Sequence, residues 1–480
     1  MQRSIHLIPQ PKTVISGTGS ISLVPTVGGD FPFFHETLAD YVRRILGIVL
    51  TEETPGAIRF IADSAFPGEA YALYAEDGRA EIHASTPDGA RNGMSTLLQL
   101  ISAEKNGEVV VPAVRIEDAP DCAFRSIMVD LARCFRPLSY VLSYIDLCVL
   151  YKIPVLHLHF TDNENYTLPS RLFSALSTPG HHYTFAEIDA LNRYAASRGI
   201  HLMPEIDVPG HCRAFCEGYG DIFGKDGIIA FTAAAIEAMQ CLFCELCDMF
   251  PGSGRVHIGG DEAAIEKWTT DPACRDYALS QGIDFDMEDK RFLAERMLAA
   301  FVEKMAEAVL SKGRVPMAWE GFSAAVNGYV TRDVQIMSWE NFYQTTPSLL
   351  DAGFTVVNSS WNPMYVVTPD TYWTQEDVFN WNIRTWEAVH PDSPYRDKKF
   401  IAPDAGQIIG GQLLAWGSSI AENCPDEASG IEMERKLIAE RAPMLAENTW
   451  NMEKRRDYPD ISAAYRKTDL IRKKIEGDFR

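Results

Sequence analysis

Two adjacent carboxylic acids at the end of an apolar segment are the residues in this chain best suited to chemistry. The segment reads His257-Ile-Gly-Gly-Asp261-Glu262. Neighbouring residues of a regular strand point to opposite faces, so both acids can serve one site only where the strand ends, and Gly259-Gly260 can supply that end. Acids in different environments can hold different pKa values, one ionised and one protonated. Such a pair could cleave a glycosidic bond; alternatively, both acids are simply solvated.

Eight apolar runs follow residue 123, and they alternate with helical patterns. The runs lie at 126–130, 155–160, 201–206, 255–258, 315–319, 334–339, 355–357 and 408–416. Helical patterns separate most of them, at 139–151, 184–198, 229–249, 288–312 and 345–352. Strands and helices that alternate in this way predict an α/β fold, a (β/α)8 TIM barrel.

Acids and tryptophans recur where these runs end. The residues at these ends are Asp130, Asp162, Glu205, Asp207, His211, Asp261, Glu262, Trp319, Glu320, Trp339, Glu340, Trp361 and Trp416. A barrel enzyme builds its site where the strands exit at the C-terminal face. Indole faces stack well on sugar rings, and acids bind hydroxyl groups. The pattern therefore favours a carbohydrate site, although any one tryptophan alone would be typical of core packing.

The chain divides into three parts by pattern. Residues 1–120 have short alternating runs and two helical patterns, which predict a smaller α+β domain. Residues 121–430 form the predicted catalytic barrel, and 431–480 read as a charged helical segment packed on it. The connection before the eighth strand is long and rich in aromatic residues between Tyr365 and Trp386, so we expect it to wall a pocket.

Composition excludes several classes of partner. Lys and Arg total 44 against 66 Asp and Glu, a net charge of −22. So acidic a surface repels nucleic acid and anionic membranes, and no apolar run reaches the roughly 18 residues of a membrane helix. The N-terminus has no secretory signal pattern, so we expect a cytoplasmic location, or a leader removed beforehand. The sequence does not indicate an oligomeric state.

The ten cysteines are scattered and do not form the pattern of a disulfide framework. Cys241, Cys244 and Cys247 are spaced like a ligand set, but the surrounding segment reads as an amphipathic helix. The spacing then predicts a stripe of small apolar residues that faces the core. No fourth ligand is evident, and we predict neither a metal nor a cofactor.

Four motifs in order resemble glycoside hydrolase family 20, the β-N-acetylhexosaminidases. They are Phe124-Arg125-Ser-Ile-Met-Val-Asp130-Leu-Ala-Arg133, Leu156-His157-Leu-His159-Phe-Thr161-Asp162, Pro204-Glu205-Ile-Asp207-Val-Pro209-Gly210-His211 and His257-Ile-Gly-Gly-Asp261-Glu262. The resemblance covers nearly the whole chain. It implies a retaining exo-glycosidase that removes terminal β-linked N-acetylhexosamine, with an oligosaccharide or glycoconjugate as substrate.

The resemblance also implies a substrate-assisted mechanism. The 2-acetamido oxygen attacks C1 and gives an oxazolinium ion. Glu262 is then the general acid and later activates water. Asp261 stays ionised, orients the acetamido N–H and stabilises the developing positive charge.

Further residues carry over from the family one by one. Arg125 would hold the O3 and O4 hydroxyls, and Asp162 would line the pocket. Asp207 and His211 would form a charge-coupled pair that tunes the proton of the general acid. The remaining set would wall the sugar or bind its acetamido group: Trp319, Trp339, Trp416 and, for the acetamido oxygen, Tyr365.

Two positions depart from the family pattern. Val367 stands where the family often has an Asp two residues after the tyrosine, and Ser418 stands where it often has a Glu after the last barrel tryptophan. A lost carboxylate weakens recognition of an unmodified O6 hydroxyl. We therefore expect a site permissive at C4 or C6, unless the aromatic connection supplies the missing contacts.

Three other interpretations stay open at this point. His157, His159, His181 and His182 could belong to a metal-dependent barrel hydrolase. The chain could instead be a catalytically silent relative that only binds carbohydrate. It could also be a barrel glycosidase that uses a protein carboxylate as nucleophile.

Overall fold

A computed structural model of the protein describes residues 5–477, except 105–107, 368–372, 404–405, 418–419, 421 and 454–455. The N-terminal part is a mixed sheet covered by two helices, α1 (Phe33–Leu46) and α2 (Pro87–Leu100). Its strands are β1 (Thr13–Leu23), β2 (Thr26–Gly29), β3 (Thr51–Glu52), β4 (Ile58–Ala62), β5 (Tyr71–Glu76), β6 (Arg79–Ala84), β7 (Ser102–Ala103) and β8 (Val109–Asp118). They lie in the order β1-β8-β5-β6-β4-β2-β3, with β7 paired to β8.

The following part is a closed barrel of eight parallel strands, which confirms the predicted fold class. The strands are β9 (Phe124–Asp130), β10 (Val155–His159), β11 (His201–Val208), β12 (Arg255–Gly259), β13 (Val315–Trp319), β14 (Gln335–Ser338), β15 (Thr355–Asn358) and β19 (Ile408–Ala415). Each pairs with the next, and β19 pairs with both β15 and β9, which closes the ring. All eight carboxyl ends therefore meet at one face.

Helices surround the barrel in the places that the periodicity predicts, with two additions. They are α3 (Leu138–Leu150), α4 (Phe185–Ser197), α5 (Arg213–Phe223), α6 (Ala233–Met249), α7 (Pro272–Ser280), α8 (Lys290–Ser311) and α9 (Thr346–Asp351). Local signals fix their ends: Thr184 and Glu187 form a capping box at the start of α4, for example. Helices α5 and α7 are the additions, and both are short.

The connection between β15 and β19 contains α10 (Trp361–Met364), β16 (Tyr365–Val366), α11 (Gln375–Asn380), β17 (Thr385–Glu387) and β18 (Lys399–Ile401). Strand β16 extends the barrel sheet beside β19. The chain then forms α12 (Glu427–Trp450), which packs on β19 and α11, and α13 (Tyr458–Glu476), which packs on α1 and α3.

A buried ion pair joins the two parts, and its arginine is one that we predicted to bind sugar. Arg125 is the second residue of β9, at the opposite end of the strand from the site, and its side chain is fully buried. Its guanidinium donates to Glu69 of the N-terminal part at 3.1 Å and to the Lys152 carbonyl at 3.1 Å. Trp450 covers it, with 5.2 Å from guanidinium carbon to ring centre. Arg125 therefore lies too far from the site for the predicted role in binding the sugar hydroxyls, and that prediction is wrong. Its position makes it a link between the domains.

Replacing Arg125 tests this correction. We expect Arg125→Met to lower the free energy of unfolding by about 3 kcal/mol, because it leaves the carbonyls of Cys122 and Lys152 without this donor and removes one of the two arginine partners of Glu69. The Michaelis constant and kcat should stay within about twofold of the parent at 25 °C, because the residue lies far from the site. Thermal melts and steady-state kinetics measure both. The control is Arg115→Met, an exposed partner of Glu76, which should cost less than about 1 kcal/mol. Loss of activity without loss of stability would restore the sugar-binding role.

Two further findings concern the chain as a whole. Within the described residues, no helix has the length and apolar character that crossing a membrane requires. All ten cysteines are free thiols. On α6, Cys247 is buried and Cys244 half-buried, but Cys241 is exposed, so the predicted apolar stripe faces the core at one end only.

Candidate active site

A cavity of about 180 Å³ opens at the carboxyl ends of the barrel strands. Asp261 and Glu262 lie side by side in its wall. The cavity is lined by Arg133, Asp207, His211, Asp261, Glu262, Trp339, Trp361, Tyr365, Val367 and Trp416. Three indoles, a phenol and a valine therefore surround four acid–base groups and one guanidinium. An apolar wall with a few convergent polar groups is the usual make-up of a ligand site.

The two glycines before the acid pair end strand β12 as the sequence predicts. Gly259 and Gly260 have φ of 70° and 112°, values that other residues rarely adopt. A Cβ on Gly259 would lie 1.9 Å from Oδ1 of Asp207, so the close approach of the two strand ends requires glycine. Glu262 itself has φ of 47°. Its backbone N–H donates to the hydroxyl of Tyr343 at 3.0 Å, which helps to hold this strained turn.

The environments of the two acids differ, as different roles require, and without substrate they shift the two pKa values in opposite directions. Burial, with Asp207 and Glu262 close by, raises the pKa of Asp261 well above its ordinary value. Its Oδ1 is buried without a hydrogen-bond partner among the described residues. The hydrogen bond with His211 lowers the pKa of Glu262. Without a sugar, these pKa directions favour protonation of Asp261 and of His211 over protonation of Glu262.

His211 connects Glu262 to the barrel, and its nearest acid is Asp162. His211 Nδ1 lies 2.9 Å from Asp162, whereas its Nε2 lies 3.8 Å from Asp207 and 3.4 Å from Glu262. Burial opposes a charged imidazole, but Asp207, Asp162 and Glu262 outweigh it and raise the pKa of His211 well above its usual value. The predicted pair of Asp207 and His211 thus becomes a chain from Asp162 through His211 to Glu262. Burial raises the pKa of Asp207 to about 7.

The predicted aromatic residues lie together, some in the cavity wall and one behind it. Trp339, Tyr365 and Trp416 line the cavity, whereas Trp319 does not. Trp319 lies beneath Trp416, with ring centres 5.9 Å apart, and its indole N–H donates to Glu205 at 2.6 Å. Asp162 is also behind the wall, because its carboxylate binds His159, His211 and Arg133 and is almost fully buried. Both residues therefore support the cavity from behind and do not line it.

Two residues that line the cavity had been given no binding role: Arg133, and Trp361, which was predicted only as one of the tryptophans at the strand ends. Arg133 lies three residues past β9 and is held by Asp130 at 3.0 Å and Asp162 at 2.8 Å. Its guanidinium carbon lies 4.8 Å from the ring centre of Trp416. Trp361 stacks on Tyr365, with ring centres 4.8 Å apart and planes 16° apart. The direction of strand β9 could have indicated Arg133. Arg133 follows the carboxyl end of this strand, where the site lies, whereas Arg125 is near its start.

One of the two departures from the family pattern lies in the cavity. Val367 lines the wall beside Tyr365 and Trp361, which makes this part of the wall apolar. Ser418 lies outside the described residues, and so does Tyr372 of the aromatic connection. From that connection, Trp381 and Trp386 are buried in the core and do not line the cavity.

The histidines of the barrel interior bind acids of the same interior. His157, His159 and His257 all contact Glu205, at 3.0, 2.7 and 2.8 Å. Such groupings bring several ligand-type atoms within 4.8 Å of one another. Of these contacts, the one between His159 Nδ1 and Glu205 is a hydrogen bond, whereas Nδ1 of His257 accepts the backbone N–H of Gly259 at 3.1 Å. His181 and His182 lie in a loop outside this group and bind Asn165 and the Thr178 carbonyl.

Two family models match this chain, one over each of its two main parts. The profile described as "Glycosyl hydrolase family 20, catalytic domain" matches residues 122–453, and "Glycosyl hydrolase family 20, domain 2" matches residues 4–119. A β-hexosaminidase of Akkermansia muciniphila is 30% identical over 309 residues, 58% of this chain and 61% of the relative. The β-hexosaminidase subunit beta of Mus musculus is 23% identical over 513 residues, 98% of this chain and 88% of the relative.

Solved structures show the same fold. The exo β-N-acetylglucosaminidase of Vibrio harveyi, in complex with N-acetylglucosamine, superposes with a TM-score of 0.80 at 23% identity, over 98% of this chain and 78% of that one. The β-N-acetylhexosaminidase of Bacteroides fragilis gives a TM-score of 0.78 at 20% identity, over 97% and 94%.

Proposed function

The chain belongs to glycosyl hydrolase family 20 and is a glycoside hydrolase of the β-hexosaminidase type, and from this premise we propose that it releases terminal β-linked N-acetylhexosamine by substrate-assisted catalysis. The reacting sugar supplies its own nucleophile, the 2-acetamido oxygen. One observation carries the proposal: Asp261 and Glu262 are adjacent in one small cavity that indole rings surround. A single sugar ring with its acetamido group suits such a volume.

Glu262 acts on the leaving group in this mechanism. In the empty cavity its proton is held by His211, 3.4 Å away. A bound sugar covers Glu262 and removes it from water, which raises its proton affinity and lets the proton pass from His211. Glu262 then protonates the glycosidic oxygen, and its carboxylate later takes a proton from the attacking water.

Asp261 acts on the acetamido group. Its partnerless Oδ1 is buried in the cavity wall and can accept the acetamido N–H. The oxazolinium ion that forms on attack carries a positive charge. A nearby positive charge lowers the proton affinity of a carboxyl group. The proton that Asp261 holds in the empty cavity therefore passes to water as the sugar binds and reacts, and Asp261 is ionised where the reaction needs it. The energy of this pairing appears only as charge develops, which is the condition for catalysis.

The experiment is a pair of glycosides that differ only at C2. We expect turnover of 4-nitrophenyl N-acetyl-β-glucosaminide and loss of at least about a thousandfold in kcat/KM on 4-nitrophenyl β-glucoside, which has no acetamido nucleophile. A thiazoline analogue of the oxazoline should inhibit competitively. Similar rates on both glycosides would favour a protein nucleophile, binding without turnover would favour a silent relative, and loss of activity in EDTA would favour a metal-dependent hydrolase.

We also propose that the site tolerates changes at C4 or C6. Val367 gives the cavity an apolar wall beside Trp361 and Tyr365, so an acid is absent from this described part of the wall. Substrates with galacto configuration, or with a 6-sulfate, should react within about tenfold of the unmodified gluco substrate. Strict preference for unmodified N-acetylglucosamine would contradict this proposal and leave the main one intact.

A further inference from the structure

A chain of five side chains runs from the barrel interior to Glu262, linked by three hydrogen bonds and one ion-pair contact. His159 Nδ1 lies 2.7 Å from Glu205, and His159 Nε2 lies 3.0 Å from Asp162. Asp162 binds His211 Nδ1 at 2.9 Å, and His211 Nε2 reaches Glu262 at 3.4 Å. Carboxyl and imidazole groups alternate along the chain. Only its last member is well exposed, with 53% of the Glu262 side chain accessible.

The geometry of His159 fixes its charge. Both ring nitrogens face carboxylate oxygens, and an imidazole can donate at both nitrogens only when it is protonated. The side chain is fully buried, so water cannot replace either partner. The pKa directions agree: burial opposes the charge, but Glu205 and Asp162 raise the pKa of His159 well above its usual value. Hydrogen bonds from His159 and His211 outweigh burial and lower the pKa of Asp162.

The groups packed around these five side chains come from the ends of five barrel strands, β9, β10, β11, β12 and β19. Around His159 they are Glu205 from β11, Asp162 from the end of its own strand, Asp130 from β9 and the edge of the Trp416 ring at 5.1 Å. Arg133 adds a second positive charge to Asp162. His157 contacts the same oxygen of Glu205 as His159, and His257 contacts the other oxygen. Asp207 faces His211. Acids outnumber cations in this group, so each cation strongly affects the pKa values of the acids beside it.

We propose that His159 is a positioning residue for the reaction: as a buried cation between Glu205 and Asp162, it keeps Asp162 ionised and aimed at His211, and so sets the pH range in which His211 and Glu262 share a proton. The inference rests on the proposed role of Glu262 and extends it three residues inward, through His211 and Asp162 to His159. Removing the cation leaves more negative charge around the shared proton. Neighbouring groups then hold protons more tightly, so both limbs of the pH profile move to higher pH.

The experiment compares two histidines of one strand. His157 and His159 are both on β10, both fully buried and both in contact with the same oxygen of Glu205. They differ in charge, because burial lowers the pKa of His157 to about 4 and its Nδ1 contacts the amide of Gln412 at 3.0 Å. His157→Gln is therefore a matched change that removes packing and a hydrogen bond but no positive charge.

We expect His159→Gln to move the pH profile of kcat/KM upward by about one unit, with a lower maximum. His157→Gln should lower the maximum with the profile moved by less than about 0.3 unit. Equal shifts in both variants, or no shift in His159→Gln, would overturn the proposal. Circular dichroism at each pH shows that the variants are folded.

A second measurement uses the unaltered protein and needs neither a variant nor turnover. With 15N-labelled histidine, both ring nitrogens of His159 should give the chemical shifts of a protonated imidazole at pH 8, whereas His157 should give those of a neutral ring. A neutral His159 would sink the inference. If the parent protein were inactive on every glycoside, the proposed function would be wrong, but the 15N shifts would still report the charge of His159.

Discussion

Glu262→Gln should lower kcat/KM by about 10²- to 10⁴-fold on a β-linked disaccharide of N-acetylhexosamine. The loss follows from the position of the carboxylate at the mouth of the cavity, where it must give a proton to a poor leaving group. On 4-nitrophenyl N-acetyl-β-glucosaminide the loss should be smaller, because nitrophenolate leaves without full protonation. Steady-state kinetics on the two substrates measure the difference. The same variant should also lose the shared proton, so its basic limb should no longer resemble that of the parent.

The matched control for this variant lies in the same loop. Glu266 is an exposed glutamate four residues further on and does not line the cavity. Glu266→Gln should leave both rates within about twofold. An equal loss on both substrates in Glu262→Gln would remove its role as general acid, and an equal loss in both variants would indicate a general disturbance of the loop.

Asp261→Asn should lower kcat by about 10²- to 10³-fold and should not raise the Michaelis constant. The change keeps the shape of the side chain but removes the charge that would face the oxazolinium ion. Because this interaction strengthens only as the ion forms, its loss belongs to the chemical step and not to substrate binding. The measurement is kcat and KM on 4-nitrophenyl N-acetyl-β-glucosaminide, together with the inhibition constant of the thiazoline analogue, which should rise.

An exposed aspartate provides the control for charge alone. Asp276 lies on α7 at the surface, and Asp276→Asn should change neither constant by more than about twofold. A higher Michaelis constant with unchanged kcat in Asp261→Asn would contradict the assigned role, since it would place the contribution of Asp261 in ground-state binding.

The barrel could be predicted from the sequence because each strand is a short apolar run bounded by turn residues. All eight runs become strands, and the two glycines before Asp261 turn the chain where strand geometry requires it. Helices α5 and α7 could not be predicted in the same way. Each buries only two of its residues, Phe215 and Phe223 on α5 and Cys274 and Ala278 on α7, so its apolar periodicity is too sparse to separate from loop sequence.

The sequence predicted which types of residue form the site. It did not predict which of them line the cavity and which lie behind its wall. Trp319 and Asp162 lie one layer behind the cavity wall, because their polar atoms are used by Glu205 and by His159, His211 and Arg133. Such pairing depends on how several loops meet in space, and the sequence of any one segment does not indicate it. Arg125 is a different case. It lies five residues before Asp130 on one strand, roughly 17 Å away at 3.3 Å per residue, so the strand direction alone favoured Arg133.

The fully enclosed position of Arg125 has a practical consequence for anyone who wishes to shorten this protein. A truncated chain that starts at β9 would discard Glu69 and uncover the guanidinium of Arg125, which is fully buried in the whole chain. It would also bare the faces of α3 and α13 that pack on α1 and α2. We expect such a fragment to aggregate on expression, so the first hundred or so residues work as an integral brace and not as a removable appendage.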